Sequence, residues 1–119
     1  MFDTHCHLNF SIFNKTLSEV IAQAKKTGID QILIPGTDIS SSLKAIEIAN
    51  QNQGVFAAVA IHPHHVQEFR MVNEFKIEEK IQDVEKLLLN PKVVAIGEVG
   101  LDKHMYKNTK YKTYTVDES

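Results

Sequence analysis

Four short apolar runs alternate with three stripes of helical period, and this alternation constrains the fold more than any other feature of the chain. The runs lie at residues 1–6 (MFDTHC), 31–35 (QILIP), 55–61 (VFAAVAI) and 93–99 (VVAIGEV), each bounded by Gly, Pro or polar residues, as buried strands are. Between them Leu17, Val20, Ile21 and Ala24, then Leu43, Ile46 and Ala49, then Ile77, Ile81, Val84 and Leu88 recur at the spacing of an amphipathic helix. Gly28, following Lys25 and Lys26, predicts a C-terminal cap on the first helix, and Asn90-Pro91 end the third. Strands that alternate with helices and are apolar almost throughout predict a parallel sheet covered on its faces, an α/β fold. Right-handed crossovers leave two architectures, an open doubly wound sheet or the start of a (β/α)8 barrel, and periodicity alone does not choose between them.

The chain's 119 residues suit one domain, and 43% hydrophobic with 24% charged residues is a globular balance. A formal net charge of -2 offers no overall attraction to a polyanion, so nucleic acid would have to be gripped locally. Cys6 is the single cysteine and cannot form an internal disulfide, no cationic-then-apolar leader opens the sequence, and no run reaches the length of a membrane span. A cytoplasmic protein with no membrane contact is expected. From residue 103 to 119 lysines 103, 107, 110 and 112 interleave with Tyr106, Tyr111 and Tyr114. This stretch reads as a solvated loop, although the same pattern can stack bases and contact phosphates.

Chemistry concentrates where strands are predicted to end. In Asp3-Thr4-His5-Cys6-His7, strand parity projects His5 and His7 from one face and Cys6 from the other, so two imidazoles can share one metal ion. Asp3 shares that face and can orient an imidazole through its second nitrogen. Glu98 closes the fourth strand between Gly97 and Gly100, where a carboxylate needs a cationic partner, and a metal ion is the simplest one. In Ile61-His62-Pro63-His64-His65 the proline stops the ladder and leaves His62 as the histidine facing a site, while His64 and His65 are expected to be exposed, as is His104. Taken singly, each feature has a bland reading as a solvated or core-filling residue. Their shared position at carboxyl ends of parallel strands favours one metal-dependent site.

MFDTHCHL at the start, IHPH from Ile61 and AIGEVGLD from Ala95 to Asp102 closely resemble three signature stretches of the TatD-type deoxyribonucleases, in the same order. The resemblance implies a (β/α)8 TIM barrel with a pair of divalent metal cations at its mouth, hydrolysing phosphodiester bonds of a DNA substrate. It matches His5 and His7 to first-strand ligands and Glu98 to the catalytic carboxylate that binds or bridges the metals. His62 matches a pocket position, and Asp3 and Asp102 complete the candidate pocket. Mg, Mn and Zn all suit such a mixed shell. The family's later histidines and aspartate have no counterpart here, and a full barrel needs about 250 residues. Residues 1–119 are therefore expected to form the N-terminal part of a single barrel domain, an incomplete frame requiring a C-terminal half. Alone, it is expected to be poorly soluble or oligomeric. Two competing readings are an amidohydrolase-type barrel cleaving C–N or ester bonds and a non-catalytic half-barrel fragment.

Overall fold

The computed structural model describes residues 1–63, 65, 75–100, 105–109 and 112–115, with the backbone alone described at 75–77 and beyond residue 100. Strands β1 (Phe2–Asp3), β2 (Gln31–Pro35), β3 (Val55–Val59) and β4 (Val93–Ile96) form one parallel sheet in the order β1-β2-β3-β4. Helices α1 (Leu17–Lys26), α2 (Ile39–Gln51) and α3 (Phe75–Leu87) connect them, and a 3-10 turn (Ser11–Phe13) precedes α1.

Each strand pairs with its predecessor in sequence, for example Ile34 with Ala57 and Ala58 with Ala95. A doubly wound sheet reverses its strand order and carries helices on both faces. Here Ile32, Ile34, Val55, Ala57 and Val59 meet α1 through Ile21, α2 through Ala45, Ile46, Ile48 and Ala49, and α3 through Val84 and Leu87 in one cluster. All three helices thus cover the same face, and sequential order with one-sided cover is the arc of a (β/α)8 barrel.

Local sequence explains how the elements stop and start. α1 ends in a Schellman motif: Gly28 takes φ +90°, its N–H donates to Lys25 O, and the Ile29 N–H donates to Ala24 O. α2 opens with a capping box in which Asp38 Oδ1 accepts from the Ser41 N–H at 2.7 Å and Ser41 Oγ accepts from the Asp38 N–H at 2.9 Å. Asn90 turns the chain into β4, its side chain accepting from the Lys92 N–H.

Several expectations are corrected. β2 matches its apolar run, whereas β1, β3 and β4 stop short of theirs, β1 because the Asp3 side chain captures the His5 N–H. The α2 stripe is rotated: Ser42, Ala45, Ile46, Ile48 and Ala49 are buried while Leu43 is exposed. On α3, Val84 and Leu87 meet the core whereas Ile81 is exposed; the Ile77 side chain lies outside the described residues. The stretch 103–119, expected as a loop, contains an antiparallel pair, β5 (Met105–Thr109) and β6 (Lys112–Thr115). Its tyrosines and threonines are strong strand formers, a signal that its lysines obscured.

Candidate metal centre

The first ligand segment leaves the sheet early. Asp3 Oδ1 accepts a hydrogen bond from the His5 N–H at 3.1 Å, an Asx turn that ends β1 after two residues. The Cys6 N–H then donates to Leu33 O, returning the chain to β2 for one further bond. His5 and His7 therefore converge from an irregular segment, not from strand parity. Asp3, expected to orient an imidazole, accepts from the His5 backbone N–H and also hydrogen-bonds the Cys6 thiol. Cys6 does point away, packing against the core. Burial pushes its thiol pKa up, and the charge and hydrogen bonding of Asp3 add to that.

The imidazoles meet with Nε2 atoms 3.2 Å apart and rings at 80°. Glu98, two residues past β4, brings Oε2 to 3.4 Å from His7 Nε2 and 3.6 Å from His5 Nε2. Its other oxygen, Oε1, faces His62 Nε2 at 3.9 Å. The three donor atoms of His5, His7 and Glu98 lie within 4.8 Å of one another. Ligands about 2.0–2.2 Å from a common ion stand roughly 3–3.5 Å apart, so these separations fit one divalent cation. Two imidazole nitrogens and a carboxylate are also a donor set that binds Zn, Mn or Mg. His7 Nδ1 is buried and has no hydrogen-bond partner among the described residues, so the ring's orientation there rests on Nε2 and on Phe10, which stacks on it at 4.5 Å and 19°.

The turn between β2 and α2 contributes no candidate ligand, yet every segment that carries one is tied to it. Asn9, 4% exposed, donates from Nδ2 to Pro35 O and to Ser41 O, each at 3.1 Å, anchoring the segment after His7. The His62 N–H donates to Thr37 O at 2.8 Å, and the Glu98 N–H donates to Gly36 O at 3.4 Å. Ser41 Oγ accepts from the N–H groups of both Thr37 and Asp38, stiffening that turn. Gly36 has no room for a side chain: a Cβ there would stand 2.1 Å from Ser42 Oγ.

Of the residues singled out in the sequence, His5, His7, Glu98 and His62 are thus brought together, and Asp3 sits behind them. His65 is half-buried and its N–H donates to His62 O, contrary to the exposure expected. His64, Asp102 and His104 lie outside the described residues. Asn9, Ser41 and Phe10 were not anticipated. The Asp38-x-x-Ser41 spacing is a readable capping signal, whereas nothing local marks Asn9 as buried.

The TatD related DNase family model matches residues 2–116. The chain is 36% identical over 110 residues to the uncharacterized metal-dependent hydrolase YabD of Bacillus subtilis, covering 92% of this chain and 40% of that protein. It is 35% identical over 102 residues to the 3'-5' ssDNA/RNA exonuclease TatD of Escherichia coli K12, covering 86% of this chain and 36% of that one. Among solved structures it is similar to the TatD homolog YjjV of Escherichia coli, with TM-score 0.72 and 27% identity, over 86% of this chain and 38% of the other. The chain spans about two fifths of the length of these relatives. With a family model matched over nearly its whole length and a barrel arc that superposes on a TatD homolog, the chain belongs to the TatD-related DNase family.

Proposed function

We propose that this chain supplies the first metal-binding half of a nuclease that hydrolyses phosphodiester bonds in DNA, using a divalent ion held by His5, His7 and Glu98. The convergence of their three donor atoms within 4.8 Å carries this reading. A divalent ion, when bound, supplies a water of lowered pKa and neutralises charge on phosphate oxygens. His5 and His7 present their Nε2 atoms side by side as ligand atoms. Glu98 turns Oε2 into the cluster while Oε1 faces His62, so one carboxylate links both flanks of the site. A second ion, as the family resemblance implies, and the remaining ligands would require residues beyond these 119. The proposal places the protein in the cytoplasm, in keeping with a free Cys6; no helix among the described residues is long and apolar enough to cross a membrane.

Calorimetric titration with Mn2+ and Zn2+ tests the ligand assignment. Saturable one-to-one binding by the wild-type chain, lost in Glu98→Gln, is the expected result. Identical binding by both proteins would remove Glu98 from the site. The hydrolytic reading is tested separately: the chain joined to the C-terminal half of a TatD relative is expected to degrade an end-labelled DNA oligomer only when divalent metal is present. A metal-loaded hybrid that leaves the DNA intact overturns it.

A further inference from the structure

Phe10 lies flat on the imidazole of His7, with centroids 4.5 Å apart and planes at 19°. Half of its surface remains exposed, 49%, although a phenyl ring left in water forgoes hydrophobic stabilisation. Its N–H donates to His7 O at 3.1 Å, so backbone as well as ring contact fixes it beside the ligand. It is held at the entry of the Ser11–Phe13 turn, next to Ile12, which is 80% exposed. A half-open aromatic ring, held by one backbone hydrogen bond and one ring contact, therefore borders the donor cluster at a distance of one side chain. With a net charge of -2, the chain has no broad basic field with which to hold a polyanion. A nucleic acid at this site must gain affinity from short-range contacts, and every base has a face that can stack on an aromatic ring.

We propose that Phe10 is a specificity-determining residue, the platform on which the base next to the metal-bound phosphate stacks. This rests on the nuclease reading given above and adds to it a means of choosing substrate. A base inside a duplex already stacks on its neighbours, so a platform of this kind favours an unpaired nucleotide over a paired one.

The test uses two phosphorothioate-linked DNA oligomers, one ending in 2-aminopurine and the other in an abasic residue, with Mn2+ present. Wild-type chain is expected to prefer the base-bearing oligomer by about fivefold to a hundredfold and to quench its 2-aminopurine fluorescence. Phe10→Leu is expected to bind both oligomers equally without quenching, and Phe10→Tyr to retain preference and quenching. A Phe10→Leu protein that keeps the preference overturns the proposal. So does one that loses affinity for both oligomers in equal measure, since that marks an effect passed through His7. Were Mn2+ to bind and neither oligomer to do so, the nucleic-acid reading would fail and the platform with it. Absence of Mn2+ binding would instead locate the failure in the metal centre.

Discussion

His5 and His7 meet edge to face at 80° with their Nε2 atoms 3.2 Å apart. In an extended strand, residues two apart project in parallel and stand roughly 7 Å apart along the backbone. The approach is achieved because Asp3 has already bent the chain out of the strand. Each imidazole therefore depends on the other's placement as a ligand. We expect His5→Ala and His7→Ala each to weaken Mn2+ or Zn2+ binding by at least about tenfold to a hundredfold, as measured by calorimetry. Retention of wild-type affinity by either variant would show that its ring lies outside the coordination shell.

Asn9→Ala is expected to lower stability by about 1–3 kcal/mol, because the buried carbonyl of Pro35 and the partly buried one of Ser41 lose the Asn9 amide. It should also weaken metal binding, since the segment following His7 is released from the β2–α2 turn. Urea unfolding and metal titration on the same protein check both consequences. An unchanged metal affinity alongside lowered stability would make Asn9 a core residue only.

Gly36→Ala places a methyl group 2.1 Å from Ser42 Oγ and 2.8 Å from Ser42 Cα. Overpacking of this kind costs about 1–3 kcal/mol. Because Gly36 O accepts the Glu98 N–H, the loss should extend to the candidate metal centre. Thermal unfolding with and without Zn2+ tests this: the variant should melt lower and gain less from the ion than wild type does. Equal stabilisation of both proteins by Zn2+ would separate Gly36 from the site.

Met1 and Asp30 supply a pH-dependent contact remote from the metal centre. The N-terminal ammonium donates to Asp30 Oδ1, and that hydrogen bond, more than the charge of the ammonium, lowers the Asp30 pKa. A lowered carboxylate pKa contributes stability above the ordinary aspartate value, lost as pH falls through the folded-state value. The pair is fully exposed, so the effect is small. Melting curves of wild type and Asp30→Asn should differ slightly at pH 6 and converge as pH falls below the ordinary aspartate range; a difference that widens on acidification reverses the assignment.

The alternation of apolar runs and helical stripes made the fold legible, because parallel strands joined by covering helices leave that pattern and few others do. The motifs of His5, His7, His62 and Glu98 also identified the residues that gather at one edge. What the motifs lacked was the manner of gathering. Strand parity put His5 and His7 on a common face, whereas an Asx turn from Asp3 brings them together, a competition between side chain and ladder that residue spacing does not reveal. Asn9 was illegible for a related reason: its burial depends on Pro35 and Ser41, each more than 25 residues away. The stretch beyond residue 102 misled because its lysines suggested solvent while its tyrosines and threonines favour extended backbone.

Because each strand of the four-stranded sheet lies beside the strand synthesised just before it, the sheet can grow at one edge as the chain leaves the ribosome, with no strand inserted between two already paired. Domains fold in the order of synthesis when their contacts permit it, and here the contacts do. The histidine pair emerges first and waits through 91 residues, from His7 to Glu98, for its carboxylate. A nascent chain shorter than this would hold both imidazoles without the carboxylate that completes the triad, so an ion held by these three residues would be captured among the last events in building this part of the molecule.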